Sequence, residues 1–403
     1  MSVEKNVPQI RFKGLSGEWA TSEIAKLALF NPKEELPECF KYVDLESVKG
    51  TSLIGYRLEL REHAPSRAQR LAKKGDVFFQ TVRPYQKNNY LFNNVDNDYV
   101  FSTGYAQLRP YCDSKFLLNL IQLDSFVKDV LDNCTGTSYP AINATILAGL
   151  EVSYPYIDEE QTQIGNYFQK IESLINQHQQ KHHKLCNIKK AMLERMFPKQ
   201  GQTTPEIRFK GVRGAWEAKT LGDLTIFRRG SFPQPYGNKE WYGGEGSMPF
   251  VQVVDVSKEL SLVENTKQKI SLKAQPLSVF VPKGSVVVTL QGTIGRVAIT
   301  QYDSFFDRTI LIFQSFSKNT DVSFWAYTIQ NKFDLEKKRA PGGTIKTITK
   351  DALSSFEVLI PSIEEQTAIG NYFQKLDALI NQHQQQITKL SNIKQACLSK
   401  MFV

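Results

Sequence analysis

Two stretches of this chain place apolar or half-polar side chains at alternating steps of four and three residues over about five heptads. In the first, Ile164, Phe168, Ile171, Ile175, His178, His182, Leu185 and Met192 fall on one stripe. In the second, Ile369, Phe373, Leu376, Ile380, His383, Ile387, Leu390, Cys397 and Met401 do the same. That spacing predicts two long helices with a coiled-coil seam, their Gln, Asn and Lys residues turned to water. Each would run roughly 57 Å at about 1.5 Å per residue. Pro155 with Asp158-x-x-Gln161, and Pro361 with the capping box Ser362-x-x-Glu365, mark the two starts, while Pro198 and Gly201 mark the first stop. Elsewhere short β-branched and aromatic runs predict strands at 76–81, 99–102 and 105–109, and again at 250–256, 285–290, 297–300 and 309–313.

The two helical stretches are copies. Residues 160–197 and 365–402 align without a gap and share 26 of 38 positions. A shorter pair, PQIRFKG at 8–14 and PEIRFKG at 205–211, opens each half, followed by Trp19 and Trp216. Between these matched ends the interiors differ almost everywhere. Only faint echoes remain: Gly75-Asp76-Val77-Phe78-Phe79 against Gly284-Ser285-Val286-Val287-Val288, and residues 136–142 against 342–348. The expected fold class is α+β, with a pseudo-two-fold internal repeat. Two mixed α/β domains (1–154 and 199–360) alternate with two long helices (155–198 and 361–403) that pair as an antiparallel coiled coil. Central residues of such a pair meet their own copies, so His178 and His383 are expected to touch, as a polar layer fixing register. Two histidines are too few for zinc, and no metal site is expected.

At 403 residues the chain exceeds what one core usually holds. No apolar run is long enough for a bilayer, and residues 1–5 lack the apolar region of a secretion signal. Five cysteines, never spaced as CxxC, read as reduced and mostly buried thiols of a cytoplasmic protein. The net charge of +9 is compatible with a polyanionic partner. It is uneven: residues 18–151 hold 15 basic against 17 acidic residues, and residues 217–357 hold 18 against 14. Contact between the first insert and nucleic acid would therefore need a local basic patch.

No catalytic constellation stands out. A GxxxxGK[ST] phosphate loop is missing, and Asn31-Pro32-Lys33-Glu34 lacks the second proline and the aromatic of an amino-methyltransferase tetrapeptide. Gly292-x-x-Gly295 is too short to cradle phosphate and reads as a tight turn. Phe12, Trp19, Phe209 and Trp216 suit packing against the helices better than stacking on bases. Arg11, Lys13, Arg208 and Lys210 suit backbone phosphate or a protein partner.

Taken together, these parts resemble the specificity subunits of type I restriction-modification enzymes. The resemblance rests on the paired openings, on the entries Pro155–Gly165 and Pro361–Gly370 with their Glu-Gln-x-x-Ile-Gly, and on Thr81-Val82-Arg83-Pro84-Tyr85 and Gly292-Thr293-Ile294-Gly295. It spans the whole chain. It implies two target-recognition domains that each read half of a bipartite DNA sequence, with the helices as a spacer. It also implies two methyltransferase subunits as partners, with restriction subunits as possible further ones. S-adenosylmethionine, and ATP with Mg2+ where a restriction subunit joins, would then be bound by partners and no cofactor by this chain. Unlike inserts imply an asymmetric target.

Candidate DNA contacts follow from side-chain type, since Arg suits guanine and Asn or Gln suits adenine. They are Arg67, Arg70, Lys73, Lys74, Arg83, Tyr85, Lys87, Asn88 and Asn89 in the first insert. In the second they are Arg228, Arg229, Gln291, Thr293, Arg296, Lys337, Lys338 and Arg339. Two other readings stay open: an autonomous DNA-modifying enzyme with an unrecognised site, and a coiled-coil scaffold that binds only proteins.

Overall fold

Both repeats are 39-residue helices, Asp158–Met196 and Ile363–Met401. They belong to a computed structural model that describes residues 6–339 and 353–403. The chain divides into two units, one holding residues up to Gln179 together with Gln385–Val403, the other Gln180–Gln384. Each unit therefore owns the start of one long helix and the end of the other.

The first unit contains strands β1 (Ala20–Glu23), β2 (Ala28–Phe30), β3 (Cys39–Val43), β4 (Val48–Lys49), β5 (Ser52–Leu53) and β6 (Arg57–Leu60). Strands β7 (Ala68–Leu71), β8 (Val77–Gln80), β9 (Tyr90–Leu91), β10 (Tyr99–Ser102), β11 (Tyr105–Pro110) and β12 (Glu151–Tyr154) follow. Its helices are α1 (Ser114–Leu120), α2 (Asp124–Asp132), α3 (Ala144–Ala148) and the start of the long α4 (Asp158–Met196). The second unit contains β13 (Glu217–Thr220), β14 (Thr225–Arg229), β15 (Met248–Val251), β16 (Gln268–Ile270) and β17 (Val279–Val281). It continues with β18 (Val286–Thr289), β19 (Val297–Ile299), β20 (Ser304–Phe306), β21 (Ile310–Phe316) and β22 (Glu357–Ile360). Its helices are α5 (Leu221–Leu224), α6 (Val322–Arg339) and the start of the long α7 (Ile363–Met401).

Strand for strand, the inserts share one topology. In the first, the sheets run β2-β11-β8-β9 and β6-β3-β10-β7; in the second, β14-β21-β18-β19 and β16-β15-β20-β17. Each second sheet holds one parallel pair, β3 with β10 and β15 with β20. Each insert is closed by an antiparallel ribbon of its first and last strands, β1 with β12 and β13 with β22. Among the described residues, the β4–β5 hairpin has no counterpart in the second insert. The faint echo at Gly75 and Gly284 is real, because β8 and β18 hold the same place; its companion at 342–348 lies outside the described residues.

Why each helix copy keeps its residues is visible at its two ends. At its start, Glu160 is 1% exposed and accepts from Arg11 Nε at 2.8 Å and Nη2 at 2.6 Å; Glu365 accepts from Arg208 at 2.9 and 2.6 Å. Gln161 donates to Pro155 O and accepts from the Asp113 N–H, as Gln366 does with Pro361 and Asp321. Glu365 and Gln161 thus turn to these partners instead of the capping boxes expected of them, because a buried carboxylate is best held by a guanidinium fork. Arg11 and Arg208 are correspondingly engaged inside the protein.

At its finish, Phe402, just past α7, packs among Trp19, Phe116 and Phe168, with centroids 5.9, 5.5 and 6.0 Å away. Its copy Phe197, just past α4, packs among Trp216, Phe324 and Phe373 at 5.7, 5.8 and 6.3 Å. So within each unit the end of one helix meets the start of the other, and the two run antiparallel there. Trp19 and Trp216 are core residues, at 3% and 2% exposure. Phe12 and Phe209 pack edge-on against Tyr167 and Tyr372.

An ion pair ties the two helices in each unit: Glu172 with Lys394 in the first, Asp377 with Lys189 in the second, both at 2.5 Å. These residues are equivalent in the repeat. Burial fades along the seam: Ile164, Phe168, Ile171 and Ile175 are buried, whereas His178, His182 and Leu185 are half-exposed. None of the five cysteines is fully buried, and Cys39 is exposed.

Candidate nucleic-acid interface

Strand β8 delivers its last residue, Gln80, to a loop at 81–89 that lies against the loop carrying β4 and β5. Together they enclose a concavity of about 420 Å3, walled by Leu45, Val48, Ile54, Gln80, Arg83 and Tyr139. Arg83 sits at φ 54°, its N–H held by Pro140 O at 2.8 Å and its guanidinium 4.4 Å from the Tyr139 ring centroid. A guanidinium stacked on an aromatic face keeps its planar donor edge free for a base. Tyr139 is 63% exposed, and Tyr85, two residues after Arg83 in the chain, is 51% exposed. Tyr139 was missed as a candidate because it lies over fifty residues from Arg83 in the chain. The bridge of Val82 to Ala141 brings it there.

The other candidates of the first insert separate sharply. Asn89 is 1% exposed and its Oδ1 accepts from the Gln80 N–H at 2.8 Å, so it braces the loop from inside. Asn88 Oδ1 accepts from Gly50 N at 2.8 Å, tying the two loops together. Lys87 Nζ donates to Gln122 O at 2.7 Å and Asp124 Oδ1 at 2.5 Å. The run from Arg67 to Lys74 is split by strand geometry. Arg67 is exposed at the Gln80 end of the sheets, its carbonyl bonded to Thr103. Lys73 and Lys74 lie at the opposite end of β8, where Lys73 pairs with Glu34 at 2.6 Å and Arg109 bridges Glu34 and Asp76. The Lys73 and Arg109 donors hold the Glu34 carboxyl below its ordinary range. Arg70, on β7, is half-buried with its Nε unpartnered, and burial lowers its pKa.

The second insert gathers its candidates at one end of a sheet. Arg229 on β14 lies opposite Leu311, and Ile310 lies opposite Thr289, the last residue of β18. The loop after β18 carries exposed Gln291 and Thr293 through a tight turn, with Gly292 at φ 63° and Gly295 at φ 77°. Arg296 Nη1 donates to Val256 O at 3.1 Å, joining this loop to the one after β15. That is the same pair of loops that frames Arg83 in the first insert. Arg228 is exposed beside Arg229. Lys337, Lys338 and Arg339 end α6, away from these loops in sequence; their side chains lie outside the described part of the structure. Among the described residues, no cluster of three or more His, Cys, Asp or Glu is placed to hold a metal ion, and no helix is long and apolar enough to cross a membrane.

A fold built twice, with two unlike loop surfaces on one strand plan, defines a protein with two recognition heads. Residues 66–187 and 214–392, one stretch per insert, match the family model described as the type I restriction modification DNA specificity domain, and the chain belongs to that family. It is 23% identical to the type I restriction enzyme HindI specificity subunit of Haemophilus influenzae, over 74% of this chain and 80% of that one. It is 26% identical to the putative MjaX specificity subunit of Methanocaldococcus jannaschii, over 60% of this chain and 55% of that one. Among solved structures, the S subunit of a type I system from M. genitalium shares the fold with a TM-score of 0.68 at 14% identity, covering 98% and 99% of the two chains. A chain from a study of assembly and conformational transition of the type I R-M system matches with a TM-score of 0.52 at 22% identity, covering 97% and 99%.

Proposed function

We propose that this chain is the sequence-reading, non-catalytic subunit of a type I restriction-modification assembly in the cytoplasm. It reads a bipartite and asymmetric DNA target, one half-site per insert, with Arg83 beside Tyr139 in the first reader and Arg228, Arg229, Gln291 and Thr293 in the second. Arg67 and Tyr85 complete the first contact surface, without Lys74 at the far end of β8; Lys337, Lys338 and Arg339 are kept as contacts of the second. Methyl transfer from S-adenosylmethionine belongs to two partner methyltransferase subunits, and ATP with Mg2+ to a restriction subunit where one joins. The observation that carries this reading is the pair of inserts with identical strand order and different loops. Like readers would suit a palindrome; unlike readers suit two different half-sites.

The test uses purified chain with a labelled methyl donor and duplex DNA, alone and with the methyltransferase subunits. Label should enter DNA only in the assembly, at one bipartite sequence. Turnover by the isolated chain would revive the autonomous enzyme, and an assembly indifferent to DNA sequence would favour the protein scaffold.

A further inference from the structure

A closed ring of polar contacts joins both loops of the first reading surface to both long helices. Lys87 meets Asp124 Oδ1 at 2.5 Å, and Asp124 Oδ2 accepts from Gln395 Nε2 of α7 at 3.1 Å. The neighbouring Lys394 meets Glu172 Oε2 of α4 at 2.5 Å, and Glu172 Oε1 accepts from Thr51 Oγ1 at 3.5 Å. Beside Thr51, the Gly50 N–H donates to Asn88 Oδ1, and Asn88 follows Lys87 in the chain. Lys87 is held a second time, because Gln122 Nε2 returns to its carbonyl at 3.1 Å. Its backbone stands at φ 53°, a conformation that needs such support.

The second unit is built differently at the equivalent place. There Asp377 pairs with Lys189 and accepts from Tyr327 OH of α6, also at 2.5 Å. Beside them opens a cleft of about 590 Å3 whose walls include Lys190, Glu194, Lys258 and Glu259.

We infer that Asp124 and Glu172 are positioning residues for base selection at the first half-site, so that spacer-helix residues help choose bases without touching DNA. A reading side chain displaced by a fraction of an ångström loses the geometry of a paired hydrogen bond, and a loop holds that geometry only as well as its supports do. Lys87 is then a strut, not a phosphate contact. The inference rests on the DNA-reading function proposed above.

The experiment uses the full chain assembled with its methyltransferase subunits and the duplex that wild type enriches from a randomised pool. Competitor duplexes carry single changes in one half-site or the other. Asp124→Asn, Glu172→Gln and Lys87→Met should each lower selectivity at the first half-site about threefold, the scale of a partly exposed ion pair. Selectivity at the second half-site and the slope of log affinity against log salt should stay at wild-type values. The exchanged pair Glu172→Lys with Lys394→Glu should restore part of the loss. Two results overturn the inference: a salt slope reduced by about 0.9 in Lys87→Met alone, as expected of a lost phosphate contact, or equal losses at both half-sites, as expected of general loosening. A wild-type assembly that enriches no duplex would instead defeat the functional reading itself.

Discussion

Arg83, Lys87, Asn88 and Asn89 share one short loop and one chemical vocabulary, yet only Arg83 turns its polar end toward the concavity's aromatic wall. The reason is backbone conformation. Arg83 and Lys87 both stand at positive φ, which breaks the alternation that would let side-chain direction be read from order in the chain. Loop chemistry was therefore legible in the sequence, and the assignment of roles within it was not. Arg11 and Arg208 show the same limit: nothing in PxIRFxG announces a carboxylate about 150 residues away. Titration exposes the strut at Lys87. Its hydrogen bond depresses the Asp124 pKa, so the pair's stabilisation is present above the ordinary carboxylate range and lost as pH falls through the lower folded value. First-half-site selectivity should hold level from about pH 8 to 5 in buffer of constant ionic strength, and any loss belongs below about pH 4. Thiols give a second check. Burial pushes Cys112 up to about 12, while Cys39 is exposed. Iodoacetamide at about pH 8 should label Cys39 first and reach Cys112 only on unfolding, as peptide mass mapping would show.

At the scale of the element, the two long helices were legible because their period is sustained and repeated. Their cost of alteration was hidden, because it depends on what they touch. A Cβ on Gly165 would sit 2.5 Å from Asp113 Oδ1 and 2.9 Å from Phe116 N, the two atoms that cap α1. Gly370 faces the equivalent cap of α6, Asp321 with Phe324. Alanine at either position should lower stability by about 1–3 kcal/mol through overpacking, read as a fall in the midpoint of urea unfolding. Helix propensity alone argues the opposite sign, since alanine is the better helix former. Close approach wins because the crowding atoms are a backbone amide and its cap. Phe402→Ala should cost more, about 3–5 kcal/mol, by emptying the aromatic cluster of the first unit.

For the whole molecule, duplication was plain from the ends inward, whereas the sheet order within each insert was not. Strands β3 and β10 pair in parallel across more than fifty residues, and no local pattern encodes that partner. What the shared topology predicts is modularity. Replacing residues 18–151 with the matching insert of another family member should change one half-site in a methylation map and leave the other as it was. A change in both would show that the readers are coupled. The core of the first unit also sets an order of manufacture. Trp19 and Phe116 leave the ribosome early, but the aromatic that completes their cluster, Phe402, is translated after the entire second unit. A nascent chain must therefore carry its first reader unfinished while the later one closes, exposing apolar surface that chaperones would recognise, until the final turns of α7 emerge and seal it.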